Sequence, residues 1–448
     1  MVEPIISVSG LRGVVGKTLT PEVAVRYAAA FAASCPEGPL LVSRDGRASG
    51  RMLADAVHAG LHAVGRSTLD GGILSTPTVG ILVRDLHAAG AVQITASHNP
   101  PEYNGLKLFS HEGRVIPAGL GERVLARYRA GRADSVPHDR LGSRREAVDV
   151  LSAHLHAVLA IVDCARIRRR AFRVVLDSNH GAGGLLGRRL LEEFGCKATV
   201  LGESPDGQFE HPAEPTGENL AGVLPAVTGA GADVGFCQDP DADRLAVIDE
   251  NGRYVGEEYT LALCVDHVLR SGRTGPIVTN CSTSRMAQDL AEQHGVPFFR
   301  SAVGEANVVD AMLEHGAVFG GEGNGGPIDP RVGLVRDSFV GMALILDAMA
   351  ARELPVSRLA DELPRYEIVK TKIVLDREKI PAALGAVERH FHDAASDRLD
   401  GLRLDWPGRW LLVRASNTEP IVRAVAEAAT ADEAQRLCDE AAAVIRKA

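Results

Sequence analysis

Short apolar runs alternate with segments of helical periodicity over the first three quarters of the chain. The run Leu40 to Ser43 predicts a strand, and in 51–64 apolar residues recur at the spacing of one helix face. By the same criteria, strands are predicted at 88–94, 172–176, 198–201, 233–237, 245–248, 276–280, 298–301 and 317–320, and helices at 77–86, 150–164, 185–194, 220–228, 257–269, 284–294, 305–315 and 337–351. Strands that alternate with helices favour largely parallel sheets covered by helices on their faces.

The last quarter of the chain has a different pattern. Strands are predicted at 366–375, 402–405 and 410–413, and helices at 378–394 and 430–447. Adjacent strands without an intervening helix are typical of an α+β unit. A chain of 448 residues is too long for one hydrophobic core, and its length is compatible with three or four domains.

Composition narrows the class of protein. Apolar residues make up 45% and charged residues 24% of the chain, the balance of a soluble globular protein. A formal charge of -9 argues against nucleic acid as a partner. No apolar run approaches the roughly 20 residues that a membrane span requires, so a cytoplasmic protein without a membrane partner is expected. The seven scattered cysteines contain no C-x-x-C pair, which indicates neither zinc nor disulfides.

Two glycine-rich stretches resemble nucleotide-binding motifs but have the wrong spacing. In 10–18 a Gly-Lys-Thr follows several glycines, yet Leu11 stands where a P-loop needs its first glycine. In 177–184 the third glycine of a dinucleotide fingerprint falls one place late, at Gly187. The first stretch is then a glycine turn that presents Arg12, either as a surface arginine or as an anion ligand.

The loop Thr95 to Pro100 follows the buried strand predicted at 88–94. Its Ser97 stands beside His98, and a serine next to an imidazole is a candidate nucleophile or phosphoryl carrier. Serine, threonine and asparagine before a proline are also ordinary turn residues. The loop by itself leaves both interpretations open.

Three carboxylates alternate along the loop that follows the strand predicted at 233–237. Asp239, Asp241 and Asp243 can converge on one hard divalent cation such as magnesium or calcium. An EF-hand is excluded because Arg244 stands where that loop needs glycine, and the flanking runs predict strands instead of helices. A solvated acidic loop remains the alternative.

Two further loops are rich in polar groups. The stretch 320–326 combines glycines, which let a ligand approach the backbone, with Glu322 and Asn324, which suit sugar hydroxyls. Near the C-terminus Arg414 and Arg423 flank hydroxyl and amide donors at Ser416, Asn417 and Thr418, a set that suits a phosphate dianion. A plain connector and a polar hairpin turn are the respective alternatives.

Taken together, the four loops resemble those of the α-D-phosphohexomutase superfamily. The motifs Ser-His-Asn-Pro, Asp-x-Asp-x-Asp-Arg, Gly-Glu-x-Asn-Gly and Arg-x-Ser-Asn-Thr-Glu-Pro occur in that order along essentially the whole chain. The resemblance implies three related α/β domains with mixed, largely parallel sheets and a smaller α+β C-terminal domain around a central cleft. The expected bounds are 1–145, 146–253, 254–362 and 363–448.

The resemblance also implies roles for individual residues. Ser97 is expected to be phosphorylated and to complete a Mg²⁺ site made by the three aspartates. Basic groups expected near the reacting phosphate are Arg12, His98 and Lys107. Groups expected to bind the substrate are Arg244, Glu322, Asn324, Arg414, Ser416, Asn417, Thr418 and Arg423.

The activity implied is that of a phosphohexomutase. Phosphoserine and a hexose phosphate form a bound hexose 1,6-bisphosphate, which turns end for end before the other phosphoryl group returns to the serine. Phosphoglucosamine mutase is preferred, with phosphomannomutase or phosphoglucomutase as the alternative, in a monomer or homodimer. Many bacterial members have a histidine where this chain has Gly326, which leaves the general base open among Arg12, Lys107 and His98. A sugar phosphatase and a non-catalytic binding protein are remoter alternatives.

Overall fold

The computed structural model describes residues 3–7, 9–131, 135–415 and 421–447. Within these residues the strands form four sheets, and each sheet is built from one continuous stretch of chain. None of the helices in the described ranges is both long enough and apolar enough to cross a bilayer.

The N-terminal unit contains a seven-stranded sheet. In chain order its elements are β1 (Ile5–Ser7), β2 (Gly10–Val14), α1 (Pro21–Ala32), β3 (Leu40–Arg44), α2 (Gly50–Ala63), β4 (Thr68–Ile73), α3 (Thr76–Asp85), β5 (Gly90–Ile94), β6 (Tyr103–Ser110), α4 (Ala118–Ala130) and β7 (Arg144–Glu146). The strand order is β1-β2-β6-β5-β3-β4-β7, with β5, β3, β4 and β7 parallel and the others antiparallel. Tyr27, Phe31, Leu53 and Val57 of α1 and α2 are fully buried in the core of this unit.

The second unit has a four-stranded sheet. Its elements are α5 (Ser152–Leu159), α6 (Cys164–Arg170), β8 (Arg173–Asp177), α7 (Gly184–Glu193), β9 (Lys197–Leu201), α8 (Leu224–Gly229), β10 (Val234–Gln238) and β11 (Leu245–Asp249). The strand order is β11-β10-β8-β9, and only β11 is antiparallel to its neighbour.

The third unit also has a four-stranded sheet. Its elements are α9 (Glu257–Arg270), β12 (Ile277–Asn280), α10 (Met286–Gln293), β13 (Phe298–Ser301), α11 (Glu305–His315), β14 (Phe319–Glu322), β15 (Gly326–Ile328), α12 (Ser338–Arg352) and α13 (Val356–Asp361). The strand order is β13-β12-β14-β15, and again only the last strand is antiparallel.

The three units share one topology. The orders β4-β3-β5-β6, β9-β8-β10-β11 and β13-β12-β14-β15 are equivalent, with three parallel strands and a fourth that returns as a hairpin. The hairpin loop therefore leaves the carboxyl end of a parallel strand, where open α/β sheets bind their ligands. The loops in these equivalent places are 95–102, 239–244 and 323–325.

The C-terminal unit is antiparallel throughout. Its elements are β16 (Glu367–Val374), α14 (Ile380–His390), β17 (Ala395–Asp397), β18 (Leu402–Trp406), β19 (Arg409–Ala415), β20 (Ile421–Ala428) and α15 (Ala431–Lys447), with strand order β16-β20-β19-β18-β17. Trp410 of β19 is fully buried against Cys281 of the third unit. The predicted fold class, three related α/β domains and a smaller α+β domain, is confirmed.

Several elements differ from the prediction. Helix α1 was not predicted, although Thr20 caps it by accepting from the N–H of Val23 and Pro21 opens its first turn. The helix predicted at 150–164 ends at Leu159, and a second helix begins at Cys164, where Asp163 caps it by accepting from the N–H of Arg166. Strands β4 and β20 were not predicted.

Candidate active site

Ser97 lies in the hairpin loop between β5 and β6. Its side chain is buried, and its backbone φ of 49° lies in the left-handed region. The hydroxyl Oγ donates to Oδ2 of Asp239 at 2.7 Å, across the boundary between the first and second units. The backbone N–H of Ser97 donates to Oγ1 of Thr95 at 2.9 Å, which fixes the turn. The predicted nucleophile and the predicted metal loop are therefore in direct contact.

Arg47 holds the Ser97 loop in place, a role that the sequence analysis missed. The guanidinium is buried and pairs with Asp45, whose Oδ2 lies 3.2 Å from Nε. Its two terminal nitrogens donate to the carbonyl oxygens of Ser97, Asn99 and Pro100 in the loop and of Tyr103 at the start of β6. A polar Arg-Asp-Gly-Arg turn at the carboxyl end of β3 was the available signal, since β3 neighbours β5 in the sheet.

The three aspartates of the metal loop converge in a fully buried cluster. One carboxylate oxygen from each of Asp239, Asp241 and Asp243 lies within 4.8 Å of the others. Burial and the two neighbouring carboxylates raise the pKa of Asp239 well above its ordinary value. Among the described residues, no hydrogen-bond donor reaches Oδ1 of Asp241 or Oδ1 of Asp243. Buried carboxylate oxygens without donors are the ligands that a hard divalent cation such as Mg²⁺ takes.

The remaining oxygens of the cluster are held by donors. Oδ2 of Asp241 accepts from Oγ1 of Thr76 at 2.6 Å, at the N-terminus of α3. Oδ1 of Asp239 accepts from the backbone N–H groups of Asp243 and Arg244 at 3.1 Å each. Thr76 was not predicted as a site residue. These contacts orient the carboxylates and leave Oδ1 of Asp241 and Oδ1 of Asp243 without a donor among the described residues.

Two cations flank Asp243. Oδ2 of this aspartate lies 2.8 Å from Nζ of Lys107 and 2.5 Å from Nη2 of Arg336. Although burial opposes the charged form, these two cations lower the pKa of Asp243 well below its ordinary value. Burial also opposes the charge of Lys107, but Asp243 and Glu305 raise the pKa of its ammonium. Lys107 is therefore a protonated donor in this arrangement.

Glu322 and Asn324 lie at the carboxyl end of β14, as predicted for a sugar loop. Oε1 of Glu322 accepts from Asn280 at 2.6 Å and from the N–H of Gly304 at 3.1 Å, while Oε2 accepts from Arg336 at 2.8 Å. Oδ1 of Asn324 is buried and has no hydrogen-bond partner among the described residues. The loop thus offers a held carboxylate and an available amide oxygen.

Arg12, His98 and Arg244 line the same region. Nη1 of Arg12 donates to Oδ1 of Asn99 at 3.0 Å in the Ser97 loop. Glu214, which the sequence analysis missed, lies with its Oε1 3.2 Å from Nδ1 of His98 and 3.4 Å from Nη1 of Arg244. Burial lowers the pKa of His98, and Arg244 lowers it further, so the imidazole is neutral at neutral pH. Burial also lowers the pKa of Arg12.

The predicted phosphate clamp is described only in part, since Ser416, Asn417 and Thr418 lie outside the described residues. Arg414 and Arg423 are directly opposite each other on the paired strands β19 and β20, so their side chains project from the same face. Nε of Arg414 lies 3.1 Å from Oδ2 of Asp400, which also accepts from the N–H of Val303 at 3.0 Å. This link ties the C-terminal unit to the segment that supports Glu322.

The arrangement suits transfer of a phosphoryl group. An oxygen nucleophile at Ser97 adjoins carboxylates arranged for a divalent cation, with Arg12, Lys107, Arg244 and Arg336 around them. Phosphoryl transfer depends on positioning and on stabilisation of charge at the phosphate oxygens, which such a set provides.

Comparison with family models assigns every unit of the chain. Residues 5–134, 152–252 and 257–366 match the models described as phosphoglucomutase/phosphomannomutase, alpha/beta/alpha domains I, II and III, and residues 372–444 match the C-terminal domain of the same family. The chain belongs to the phosphoglucomutase/phosphomannomutase family. This confirms the predicted membership of the α-D-phosphohexomutase superfamily. Members of this family are isomerases that move a phosphoryl group within a hexose phosphate, and this chain is such an intramolecular phosphotransferase.

Similar family members come from archaea and bacteria. A phosphoglucomutase/phosphomannomutase of Thermococcus kodakarensis is 38% identical over 95% of both chains. A probable phosphoglucosamine mutase of Thermococcus gammatolerans is 33% identical over 98% of both chains. A crystal structure of a phosphoglucomutase/phosphomannomutase family protein from Burkholderia thailandensis superimposes with a TM-score of 0.86 at 27% identity, covering 99% of this chain and 98% of that one.

Proposed function

We propose that this protein is a magnesium-dependent phosphoglucosamine mutase, which interconverts glucosamine 6-phosphate and glucosamine 1-phosphate through a phosphorylated Ser97. The observation that carries the proposal is the contact between the Ser97 hydroxyl and Asp239, 2.7 Å apart, at the edge of a buried cluster of three aspartates. A phosphoryl group on Ser97 would place its negative charge beside these carboxylates, an arrangement that requires a cation between them.

Asp239, Asp241 and Asp243 would hold the magnesium ion, with a phosphoryl oxygen on Ser97 as a further ligand. The unbonded oxygens of Asp241 and Asp243 support this ligand set. The ion would supply charge neutralisation at the phosphate oxygens during transfer.

The reaction consists of two transfers of the same kind. A hydroxyl oxygen of the bound hexose phosphate attacks phosphorus on Ser97, a new P–O bond forms, and the bond to Ser97 Oγ breaks. The product is hexose 1,6-bisphosphate, which turns end for end while it stays bound. The return of the other phosphoryl group to Ser97 Oγ releases the isomer and regenerates the phosphoserine. The bisphosphate also serves as activator, because it can phosphorylate Ser97 in an unphosphorylated molecule.

Each hydroxyl loses a proton as it attacks, and each leaving oxygen gains one. Lys107, protonated between Asp243 and Glu305, is proposed as the group that donates to the leaving oxygen. His98 is proposed as the acceptor, because its neutral imidazole adjoins the serine and is oriented by Glu214. Arg12 is proposed to stabilise the charge on the transferring phosphoryl group.

The substrate is proposed to lie between the third and C-terminal units. Glu322 and Asn324 would accept hydrogen bonds from sugar hydroxyls, and Arg244 would contact the sugar phosphate. The phosphate that is not being transferred is proposed to bind Arg414, Ser416, Asn417, Thr418 and Arg423. The domain bounds that go with this assignment are 1–145, 146–253, 254–362 and 363–448. The second, third and fourth sheets each lie within one of these ranges, and the first sheet passes its bound by one residue, Glu146 of β7.

The choice of glucosamine rests on relatives named probable phosphoglucosamine mutase, such as the protein of Thermococcus gammatolerans. A second candidate is phosphoglucomutase/phosphomannomutase activity, favoured by the name of the Thermococcus kodakarensis relative at 38% identity. Glu322 and Asn324 would face hydroxyls that these hexoses share, so the site residues do not separate the two.

The decisive experiment offers purified protein glucosamine 1-phosphate, mannose 1-phosphate and glucose 1-phosphate in parallel, with Mg²⁺ and a catalytic amount of glucose 1,6-bisphosphate. We expect the highest kcat/KM with glucosamine 1-phosphate and no turnover in Ser97→Ala. A preference for mannose or glucose would support the second candidate. Steady release of inorganic phosphate without the isomer would indicate a phosphatase, and no turnover of any sugar would indicate a binding protein.

A further inference from the structure

Arg336 connects two parts of the site that belong to different units. Its guanidinium is buried, and Nη2 lies 2.5 Å from Oδ2 of Asp243 in the second unit. Nη1 lies 2.8 Å from Oε2 of Glu322 in the third unit. Its Nε is 3.6 Å from Oε2 of Glu305, whose other oxygen accepts from the backbone N–H of Arg336. One planar fork therefore contacts a carboxylate of the metal cluster and a carboxylate of the sugar loop.

The space for this side chain depends on Gly326. A β-carbon at position 326 would overlap Cδ of Arg336 and lie 2.8 Å from its Cγ. Gly326 lies in strand β15 with an ordinary φ, so the backbone itself does not require glycine there. The aliphatic stem of Arg336 fills the volume that any side chain at 326 would enter.

We propose that Arg336 is a positioning residue that fixes Asp243 and Glu322 relative to each other, and that Gly326 is the partner position that makes room for it. The cationic group that fills this space enters from the segment before α12. This inference rests on the proposed phosphohexomutase function, because it assigns Glu322 to the sugar and Asp243 to the metal.

A fork suits this place because one guanidinium contacts two separate carboxylates, those of Asp243 and Glu322. Arginine presents several donors in a fixed plane and can bind two carboxylates at once, whereas lysine is a compact single charge. Removal of the guanidinium would leave Glu322 and Glu305 as buried charges with fewer partners, and such groups rearrange or take up protons. Glu322 and Asp243 would then no longer be held in fixed positions relative to each other.

The test uses Arg336→Met, which keeps the stem volume, Arg336→Lys, which keeps the charge, and Gly326→Ala, which displaces the stem. We expect kcat/KM to fall by about 100-fold or more in Arg336→Met and by about 10-fold or more in Gly326→Ala. We expect kcat/KM of Arg336→Lys to be about 10-fold higher than that of Arg336→Met. Because both positions act through one contact, the double variant should lie within about 3-fold of Arg336→Met.

A readout besides activity is binding of glucose 1,6-bisphosphate to each variant by calorimetry, in the presence of Mg²⁺. We expect Kd to rise by about 10-fold or more in Arg336→Met and Gly326→Ala, in line with the effect of groups that orient ligating side chains. Two matched controls should stay within 2-fold of the wild type. Arg166→Met breaks a salt bridge to buried Asp347 outside the site, and Gly333→Ala adds a methyl group to the same segment at ordinary contact distance.

The inference would be overturned if Arg336→Met bound and turned over substrate like the wild type. It would also be overturned if the losses of Arg336→Met and Gly326→Ala multiplied in the double variant. An equal loss of kcat/KM in Arg166→Met, with the same fall in unfolding temperature, would show that the effect comes from lost stability. That result would also overturn the inference. If the wild type turned over no sugar, the proposed function would fail, and the calorimetric comparison would still decide whether Arg336 and Gly326 act as one unit.

Discussion

Ser97 shows how strongly single residues are constrained at this site. Its φ of 49° places a residue with a β-carbon in the left-handed region, where glycine is favoured, and its hydroxyl is buried against a carboxylate. Non-glycine residues in this region carry strain of roughly 1 kcal/mol or more, and the surrounding contacts must hold them there. Arg47 supplies much of that support through its bonds to the loop carbonyls.

The strain at Ser97 predicts a difference between two inactive variants. Ser97→Ala and Ser97→Gly both lack the hydroxyl, and both should be inactive in the mutase assay. Glycine relieves the left-handed strain, so the free energy of unfolding of Ser97→Gly should exceed that of Ser97→Ala by about 1 kcal/mol. Urea unfolding measures the difference, and a more stable alanine variant would show that the loop is unstrained.

Removal of Arg47 should lower activity strongly, although Arg47 contacts backbone carbonyls around Ser97 and not the Ser97 hydroxyl. Arg47→Met leaves Asp45 buried without its cation and frees the carbonyls of the Ser97 loop, so we expect a loss of stability of roughly 3 kcal/mol and a fall in kcat of about 100-fold. The matched control is Arg66→Met, because Arg66 also donates to three backbone carbonyls, away from the site. Equal kcat in the two variants would contradict a role for Arg47 in the loop.

The residues predicted from sequence were those whose chemistry can be recognised within one short stretch of chain. Ser97, the three aspartates, Glu322 and Asn324 each stand in a compact polar loop after a strand, and the structure brings the first four together. Arg47, Thr76, Glu214 and Arg336 were missed because their partners lie far along the chain. Thr76, for example, reaches Asp241 across 165 positions, and no local pattern encodes that separation.

Three hairpin connections and the strands beside them carry the predicted site residues of the α/β units. Each connection leaves a parallel strand at its carboxyl end, while Arg414 and Arg423 of the C-terminal unit lie on the paired strands β19 and β20. Helix α9 supports the third connection through Glu258 in its first turn. The carboxylate of Glu258 accepts from the N–H of Ser284 and fills the space that a side chain at position 323 would need. The glycine and the glutamate therefore form one packed unit.

The partly buried carboxyl of Glu258 predicts a pH dependence of stability. Burial raises its pKa to about 8 from an ordinary value of 4.5, against the hydrogen bond from Ser284. A group with a raised pKa contributes its full stability below about pH 4.5, and this contribution is lost as the pH rises through about 8. Between pH 5 and 8, the free energy of unfolding of the wild type should therefore fall relative to Glu258→Gln by up to a few kcal/mol.

Urea unfolding at several pH values measures this difference. The exposed residue Glu314 on α11 provides the control variant Glu314→Gln, which should follow the wild type at each pH. Parallel curves for the wild type and Glu258→Gln would contradict a raised pKa in the folded state.

Elements were predictable where periodicity was uninterrupted. The helix expected at 305–315 has those bounds in the structure, since an apolar stripe runs along its length and Gly316 ends it in a left-handed conformation. Helix α1 was missed because residues 27–32 are all apolar and show no alternation between helix faces, although its N-terminal capping signal was present. Strand β20 was missed because it follows directly on a polar loop, and because one of its two partners, β16, is distant in sequence.

At the scale of the whole molecule, the site exists only where the units meet. The hydroxyl of Ser97 contacts the second unit, and Lys107 reaches both Asp243 of the second and Glu305 of the third. Asp400 links the C-terminal unit to the segment below Glu322. A cation bound by the aspartates would therefore stabilise the contact between units as well as the reacting groups.

Removal of magnesium should lower stability as well as activity. Chelation with EDTA is expected to abolish turnover and lower the unfolding temperature, and added Mg²⁺ should restore both. At a Mg²⁺ concentration of about 100 times Kd, the stabilisation should be about 2.7 kcal/mol. Asp241→Asn removes a ligand but keeps an oxygen for Thr76, so its unfolding temperature should respond little to Mg²⁺. An equal response in this variant would place the ion elsewhere.

Each sheet comes from one uninterrupted stretch of chain, and this has a consequence for biosynthesis. A growing chain emerges at roughly 5 to 20 residues per second, and domains fold as they are completed. The first unit can fold with its serine loop in place well before Asp239, 142 positions later, has been made. The nascent protein therefore has folded parts long before it has a metal site. Only a nearly complete chain can bring together the residues that the four units contribute to the site.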